Sequence, residues 1–414
     1  MAPRNSAKNE SPSAILGERD LETCDQSKIM NFIAIKMLLG DRAKYIGIII
    51  GLTFASFLVT WPSAIFTGVM SRTFSFVTDV GLPDIWVVDP QVQYIEDVKP
   101  LRDTEVLRVR GTEGVEWAVG LYKGMLRARM NDGTFQSCVV VGLDDATLIG
   151  GPPKMLAGQL ADLRQADSVI VDEAGARGKL ARQLPDGRRV PLKLGDTLEL
   201  NDHRCVVVGI CRITQTFQNV PVIYTTYSHA TTIAPQERKL LSFIIAKAKP
   251  GTDLHEVCAR IRGNIRLSAY TPGEFKKLTF WYFLKYTGMP FNFLTVVSLG
   301  FIVGVAISGM TFYNFTLDNL RYFGTLKAMG TTNRKLLRMI SIQAATVGAV
   351  GYGLGVGAAS AWGGVLSGRT QIAFKLPWQL LLVSAIAVMV ICVGAAALSI
   401  RKVMKLEPAM VFRS

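Results

Sequence analysis

The chain has 414 residues and a formal net charge of +14, and 49% of its residues are hydrophobic. This length suits more than one domain, and the composition suits a membrane bundle combined with a soluble insert. The positive charge favours contact with anionic lipid headgroups. Nucleic-acid binding is a weaker alternative, because no basic run is interleaved with aromatic residues and no nucleic-acid-binding motif is present.

Residues 1–44 are predicted to form a cytoplasmic N-terminal tail and an interfacial helix. The first 27 residues are polar, and Lys28–Leu39 is a short apolar stretch that Gly40 and Asp41 interrupt. Residues 45–66 then form a long apolar run, which predicts the first transmembrane helix. No small-residue cleavage site follows this run, so we expect an uncleaved anchor.

Residues 67–289 are predicted to form an inserted extracytoplasmic domain with mixed α/β structure. Short β-branched runs bounded by turn residues predict strands; these are Cys138–Leu143, Ser168–Asp172, Thr197–Leu200, Arg204–Ile210, Val220–Tyr224 and Leu241–Ala246. The dipeptide Asn201-Asp202 predicts a tight hairpin turn. Helices are predicted at Pro153–Asp162 and at Asp253–Arg262.

Two amphipathic segments flank this domain. Ser71–Val80 follows the first apolar run and Glu274–Tyr286 precedes the second. We expect both to continue the first and second membrane helices outward as a stalk.

Three more apolar runs follow the inserted domain, at residues 290–315, 340–362 and 376–400. None of the four runs contains a charged residue, and each reaches the about 20 residues needed to cross a bilayer core of about 30 Å. The sequence therefore predicts an α-helical membrane protein with four transmembrane helices in a 1+3 arrangement. Buried helices of a soluble protein are the weaker alternative, because four such runs rarely occur in one soluble chain.

The distribution of Lys and Arg predicts the orientation. Seven lie in residues 1–44, five in the loop 316–339 and four in the tail 401–414, whereas the short loop 363–375 carries two. Basic residues near membrane helices are retained in the cytoplasm. Both termini and the 316–339 loop are therefore predicted to be cytoplasmic, and the long outward segment around Asp186 is predicted to face the other side.

The sequence contains no complete motif for catalysis or metal binding. The three histidines lack the spacing of metal ligands; they are His203, His229 and His255. Residues Ala174–Lys179 resemble a phosphate-binding loop, but the first glycine is missing and Leu180 replaces the hydroxyl residue that would meet magnesium. We predict no catalytic residue, no metal site and no cofactor in this chain.

Acidic pairs and cysteines are given structural interpretations. The pairs Asp144-Asp145 and Asp172-Glu173 are interpreted as solvated turn residues.

Four cysteines fall in the inserted domain, where they could form disulfides or remain packed thiols; they are Cys138, Cys205, Cys211 and Cys258.

The membrane helices contain features that favour packing over ion transport. The third run contains glycines at spacings that allow close helix approach; these are Gly348, Gly351, Gly353, Gly355 and Gly357. We expect this helix to pack within its own four-helix bundle. The absence of charged residues in the runs argues against a secondary transporter.

The most specific motif is residues 316–337, TLDNLRYFGTLKAMGTTNRKLL, directly after the second run. It resembles the cytoplasmic loop of the MacB/FtsX-type ABC transporter permeases. The 1+3 arrangement, the outward segment GDTLEL at 195–200 and the closing RKVMKLEPA at 401–409 agree with this resemblance. Within the group, FIVGV at 301–305 and GTLKAMG at 324–330 look most like the DevC-like exporter branch. The resemblance covers residues 31–414.

In that family the loop contains a helix that docks on a separate ATPase. The resemblance implies that the coupling residues are Arg321, Tyr322, Phe323, Gly324, Leu326, Lys327, Met329 and Gly330. The three-residue spacing of Phe323, Leu326 and Met329 predicts one apolar face. The alternative is an amphipathic loop that lies on lipid headgroups. If the loop docks, substitution of Phe323 or Leu326 by Glu should uncouple the ATPase while the protein stays in the membrane.

The resemblance implies the permease subunit of an ATP-driven exporter in a bacterial inner (plasma) membrane, which couples the ATPase to export of periplasmic cargo by mechanotransmission. ATP and Mg²⁺ would bind to the partner ATPase, so this chain itself is not expected to be an enzyme. The other implied partners are a second copy of the chain, with the first and second helices at the dimer seam, a periplasmic adaptor (membrane fusion protein) and an outer-membrane channel. The alternatives are a permease of the same fold that activates a peptidoglycan hydrolase, extracts lipoproteins or effluxes haem, and more remotely a membrane receptor.

Overall fold

The structure is a computed structural model, and it describes residues 42–130, 132–183, 187–235, 240–370 and 372–404, together with residues 32, 36, 37 and 40. The predicted interfacial helix Lys28–Leu39 and the closing segment 405–409 lie largely outside these residues, and Asp186 lies wholly outside them. The chain divides into two compact units, one of Met1–Gly68 with Pro290–Ser414 and one of Val69–Met289.

The helices of the described residues are α1 (Arg42–Thr73), α2 (Ser75–Val80), α3 (Thr104–Arg110), α4 (Glu173–Arg177), α5 (Tyr227–Ile233), α6 (Leu254–Ile265), α7 (Pro272–Tyr286), α8 (Met289–Asp318), α9 (Leu320–Ala328), α10 (Asn333–Thr370) and α11 (Trp378–Met404). Four of them, α1, α8, α10 and α11, are long and apolar enough to cross a membrane. This confirms the predicted 1+3 arrangement.

The membrane helices share one buried apolar cluster. Its members come from all four helices and include Ile48, Leu52, Phe312, Phe315, Val347, Val388 and Ile391. Tyr352 of α10 adds a polar link between two helices, because its hydroxyl donates a hydrogen bond to the carbonyl of Leu381 in α11, at 2.7 Å. The helices therefore form one packed bundle.

The glycines of α10 lie on two different faces. A Cβ on Gly351 would lie 2.6 Å from Leu52 Cβ, and a Cβ on Gly355 would lie 2.5 Å from Ser56 Cβ. Gly353 and Gly357 have no such neighbour within 4 Å. A Cβ on Gly348 would lie 2.7 Å from Cys392 Sγ of α11. Three of the five predicted glycines thus allow close approach to a neighbouring helix, which confirms packing within the bundle, whereas the other two meet no neighbour.

The strands all belong to the inserted domain. They are β1 (Ile85–Val88), β2 (Val115–Arg129), β3 (Phe135–Leu143), β4 (Lys154–Ala157), β5 (Ser168–Asp172), β6 (Arg182–Gln183), β7 (Arg189–Val190), β8 (Thr197–Leu200), β9 (His203–Arg212), β10 (Val222–Thr226), β11 (Phe243–Ala248) and β12 (Ser268–Tyr270). All six predicted strands are present. The strands that the sequence did not predict include β2, which has 15 residues.

One sheet organises this domain. Its strand order is β12-β1-β11-β2-β3-β10-β5-β9-β4, and β8 pairs with both β2 and β9. The first half of β2 pairs with β11, with Leu121 opposite Phe243, and the second half pairs with β3, with Tyr122 opposite Gly142. Most pairs are antiparallel, but β3 with β10 and β5 with β9 are parallel, so the sheet is mixed. The predicted mixed α/β domain is confirmed.

The two segments that flank the domain contribute to its core. Phe76 of α2 and Phe275 of α7 are buried together with Trp86 and Phe243, and neighbouring ring centroids lie 5.7 to 6.5 Å apart. Helix α7 begins at a capping box in which Thr271 and Glu274 satisfy each other's backbone N–H groups. Both predicted amphipathic segments are therefore helical, and their apolar faces pack inside this domain.

Local predictions for this domain had mixed outcomes. Asn201 and Asp202 have φ values of 48° and 66°, as a two-residue hairpin turn requires, so the predicted turn is confirmed. The helix predicted at Asp253–Arg262 is α6, with Asp253 as its N-cap. The helix predicted at Pro153–Asp162 is wrong over most of its length, because Lys154–Ala157 is a strand paired with β9 and Gly158 adopts a φ of 73°. Its last residues begin a short 3₁₀ helix, Leu160–Arg164.

The cysteines of the inserted domain are packed thiols. Cys138, Cys205, Cys211 and Cys258 are free and buried, so the thiol alternative holds and the disulfide alternative does not. Burial raises the pKa of Cys138 and of Cys205 to about 12 in each case. Such thiols are poor nucleophiles near neutral pH.

Candidate partner-docking site

The predicted docking loop starts at a hydrogen-bonded junction around Asn319. This residue is 8% exposed and lies between the end of α8 and the start of α9. Its side-chain amide donates to the carbonyl of Phe315 at 2.8 Å, and its own carbonyl accepts from the backbone N–H groups of Tyr322 and Phe323. An asparagine can satisfy backbone groups at such a break, so the two helices are joined by a fixed connection.

The loop helix α9 ends at a Schellman motif. The N–H of Thr331 donates to the carbonyl of Leu326 at 3.1 Å, and the N–H of Gly330 donates to that of Lys327 at 3.1 Å. Gly330 has a φ of 87°, a conformation that glycine adopts without steric cost. Helix α9 is therefore a short helix with both ends defined by hydrogen bonds.

Two adjacent residues of α9 lie in opposite environments. Phe323 is 1% exposed and belongs to the buried cluster of the membrane bundle, together with Leu336 and Met339 of α10. Tyr322 is 61% exposed. Phe323 therefore holds α9 against the protein's own helices, while Tyr322 is available to a partner.

The predicted coupling residues fall into three groups. Arg321, Tyr322, Met329 and Gly330 are exposed, Leu326 and Lys327 are half-buried, and Phe323 and Gly324 are buried. The prediction of one apolar docking face formed by Phe323, Leu326 and Met329 is therefore wrong. Leu326 packs against the bundle cluster as Phe323 does, whereas Met329 is 74% exposed.

The exposed surface of the loop is basic. Residues 316–339 contain five Lys or Arg and one acidic residue, Asp318. The side chains of Arg321, Arg334 and Arg338 are exposed. Such a surface can bind an acidic protein patch or anionic headgroups.

The motifs of the inserted domain have structural roles. Ala174–Lys179 does not form a phosphate loop: Glu173–Arg177 is the one-turn helix α4, and Lys179 Nζ donates to the carbonyl of Asn219 at 2.6 Å. Among the described residues, no group of three His, Cys, Asp or Glu side chains could hold a metal ion.

The interpretation of Asp172 as a solvated turn residue is wrong. Asp172 is 4% exposed, and its carboxylate accepts hydrogen bonds from the N–H groups of Gly175 and Val222, each at 2.8 Å. Burial raises the pKa of this carboxyl, and the two N–H donors oppose that shift. Asp172 therefore caps α4 and ties it to β10.

Comparison with known families identifies the chain. Residues 45–264 match the family described as MacB-like periplasmic core domain, and residues 284–408 match the FtsX-like permease C-terminal family. The first match alone covers more than half of the 414 residues. The chain belongs to the MacB/FtsX-type ABC transporter permeases. Permeases of this class imply an ATPase partner.

Curated relatives of the permease agree with this assignment. An uncharacterized ABC transporter permease of Mycobacterium tuberculosis, Rv0072 in strain H37Rv and MT0078 in strain CDC 1551, is 23% identical over 316 residues. The alignment covers 76% of this permease and 79% of each relative.

Two solved domains are similar to part of this permease. The extracellular domain of the noncanonic ABC-type transporter YknZ from Gram-positive bacteria is 10% identical, with a TM-score of 0.33, over 45% of this permease and 98% of that chain. The periplasmic region of MacB from Actinobacillus actinomycetemcomitans is 12% identical, with a TM-score of 0.35; the match covers 48% of this permease and 92% of that chain.

Sequence reasoning missed the residues that position α9. Asn319, Leu336 and Met339 hold this helix but carry no motif of their own. The spacing of Phe323, Leu336 and Met339 along two helices becomes informative only when the two helices are packed together.

Proposed function

We propose that this permease is the transmembrane subunit of an ATP-driven exporter and that a separate ATPase docks on α9. One observation carries the proposal: α9 is fixed to the bundle through Phe323 and still exposes Arg321, Tyr322 and Met329. A docking helix that passes movement from an ATPase to the membrane bundle must be packed firmly against the bundle on one side and expose its other side to the ATPase. Helix α9 has both.

The exposed residues suit a docking partner with an apolar pocket and acidic surroundings. Tyr322 and Met329 provide a large aromatic and a flexible thioether group, which are typical anchors of protein interfaces. Arg321 and Arg334 are also exposed and add positive charge to the same loop. The surface of the ATPase that receives α9 should therefore contain an apolar groove with carboxylates on its rim.

The chain connectivity supports transmission of movement towards the inserted domain. Helix α9 is joined through Asn319 to α8, and α8 starts at Met289, soon after α7 ends at Tyr286. Helix α7 contributes Phe275 to the core of the inserted domain. A displacement of α9 would therefore act on α8, whose other end is joined through Thr287 and Gly288 to a core helix of that domain.

The proposed cargo is taken up outside the membrane helices. The four apolar runs contain no charged residue that could line a path for a polar cargo. We therefore place cargo transfer outside the membrane helices. The inserted domain would face the periplasm and engage an adaptor, with an outer-membrane channel beyond it. Two copies of the permease would pair with two ATPase copies, ATP and Mg²⁺ would bind only to the ATPase, and both termini would be cytoplasmic in the inner membrane.

A purification in mild detergent tests this function. The tagged permease is isolated from its own membranes, and co-purifying proteins are identified by mass spectrometry. We expect an ABC ATPase and a periplasmic adaptor with the unmodified chain, and loss of the ATPase with Tyr322→Ala combined with Met329→Glu. Leu107→Glu, an equally exposed site in the inserted domain, is the control that should retain the ATPase.

The outcomes separate the possible functions. Co-purification of an ATPase and a cell-wall hydrolase, without an adaptor, would indicate that the permease activates the hydrolase instead of exporting a cargo. The absence of any ATPase would overturn the proposal.

A further inference from the structure

The inserted domain contains a cavity of about 450 Å³ beside the central strand β2. Its lining includes Tyr94, Glu96 and Asp97, residues 123–125 of β2, and Leu240. Its volume lies within the range of pockets that hold small organic ligands, about 300–1,000 Å³. Nothing described above gives this cavity a role.

The accessible charged groups on the described wall of the cavity are carboxylates. Lys123 is 4% exposed, and its ammonium nitrogen lies 2.6 Å from Glu96 Oε1 and 4.9 Å from the centre of the Phe76 ring. This nitrogen is itself inaccessible to solvent. The ammonium is therefore inaccessible from the cavity, and among the lining residues that the structure describes, the carboxylates of Glu96 and Asp97 are the charged groups on the accessible wall.

The two carboxylates retain access to solvent. The side chain of Glu96 is 20% exposed and that of Asp97 is 22% exposed. Asp97 is paired with Lys99 at 3.2 Å, but Lys99 does not line the cavity. Partly buried carboxylates bind a cation more strongly than exposed ones do, because water screens them less.

Apolar groups complete the wall. Met125 and Leu240 are 41% and 42% exposed, so they present apolar surface. Tyr94, one face of which is covered by Tyr282, adds an aromatic ring to the lining. An aromatic face next to a carboxylate favours an ammonium group. Aliphatic neighbours favour the apolar body attached to that group.

We propose that this cavity binds a small organic amine with an apolar body, and that Glu96 is the anionic partner of its ammonium group. In the bound state Glu96 is shared between the ligand and Lys123. The proposal is independent of ATPase docking, because it concerns the inserted domain alone.

Binding should also be detectable at α7. Tyr94 stacks on Tyr282 of α7, with ring centroids 4.2 Å apart, and the N–H of Ile95 donates to Thr279 Oγ1 at 3.3 Å. A ligand that contacts Tyr94 and Glu96 therefore contacts the segment that is bound to α7. Binding of the ligand should slow hydrogen exchange of the α7 backbone amides.

A set of three probes with one apolar body tests the proposal. The full-length permease in zwitterionic nanodiscs is titrated by calorimetry with 1-naphthylmethylamine, 1-naphthylmethanol and 1-naphthoate at pH 7, and empty nanodiscs are subtracted. We expect the amine to bind at least tenfold more tightly than the alcohol, and the naphthoate not to bind. Equal affinities for the three probes would show an apolar crevice only and would overturn the proposal.

Variants identify the binding group. Glu96→Gln should weaken amine binding at least tenfold, whereas Lys123→Met should strengthen it, because Glu96 loses its competing partner. Glu113→Gln, at an exposed carboxylate of the same domain, is the matched control and should change nothing. Leu240→Trp fills the cavity and leaves the Glu96–Lys123 pair intact, so it tests the site even if Glu96→Gln fails to fold. Amine binding that survives Leu240→Trp unchanged would refute the assignment.

Discussion

Lys44 Nζ lies 2.8 Å from Asp318 Oδ2, and this ion pair joins the start of the first membrane helix to the end of the second. Asp318 is the last residue of α8, directly before the Asn319 junction that leads into α9. The side chains are 39% and 51% exposed, so the pair should contribute no more than about 1 kcal/mol to stability. Its importance is positional, because it fixes α1 next to the base of the docking helix.

Removal of this pair should affect coupling more than stability. We expect Lys44→Ala and Asp318→Ala to reduce ATPase stimulation several-fold, while the free energy of unfolding changes by about 1 kcal/mol or less. The measurement is ATPase activity of the reconstituted complex together with thermal unfolding of the permease. The double variant Lys44→Asp with Asp318→Lys should restore part of the ATPase stimulation. Normal ATPase stimulation in both single variants would show that the ion pair has no role in coupling.

Tyr322 and Phe323 should respond to substitution in opposite ways. Phe323→Ala removes a buried ring and should cost about 3–5 kcal/mol of stability. Tyr322→Ala removes an exposed ring and should change stability by about 0.5 kcal/mol or less, but ATPase docking should be lost. The readouts are the unfolding midpoint of the permease in detergent and ATPase co-purification.

The burial of Phe323 also revises the expectation for Phe323→Glu. A carboxylate in the buried cluster should destabilise the bundle itself, so this variant cannot report on docking alone. If Tyr322→Ala and Met329→Glu each retained full ATPase binding, the exposed side of α9 would not be the docking surface.

The membrane architecture was predictable, and much of the inserted domain was not. Four long uncharged runs allow few alternatives, because the length needed to cross a bilayer is fixed. Strand β2 was missed because both of its faces are covered over much of its length, so Tyr122 and Lys123 are both buried and the polar–apolar alternation is lost. The wrong helix at Pro153–Asp162 arose because the pairing of β4 with β9 depends on distant residues.

The docking helix was predictable as a segment but not in its orientation. Gly330 and the surrounding motif indicated a short helix with a turn after it. The three-residue spacing of Phe323, Leu326 and Met329 indicated a common face, but spacing cannot show whether that face meets a partner or the same chain. The packing of Leu336 and Met339 against α9 decides this, and it depends on how α10 returns to the bundle.

Glycines of α10 offer a matched pair of substitutions. Gly355→Ala would place a Cβ 2.5 Å from Ser56 Cβ and 2.6 Å from the carbonyl oxygen of Thr53, so we expect a loss of about 1–3 kcal/mol. Gly353→Ala meets nothing within 4 Å and should be neutral or stabilising, because alanine favours a helix by about 1 kcal/mol over glycine. Unfolding midpoints in detergent measure both, and equal effects would contradict the packing of α10 on α1.

Cysteine labelling should establish the orientation of the permease. Cys138, Cys205, Cys211 and Cys258 are fully buried and Cys392 is 6% exposed, so they should not react with an impermeant maleimide. In a Cys24→Ser background, Leu107→Cys and Met329→Cys introduce thiols at positions that are 65% and 74% exposed, in the inserted domain and the docking loop respectively. Because basic residues are retained in the cytoplasm, we expect intact spheroplasts to label only Leu107→Cys. Met329→Cys should become reactive after the membrane is permeabilised, and labelling of Met329→Cys alone in intact cells would reverse the proposed topology.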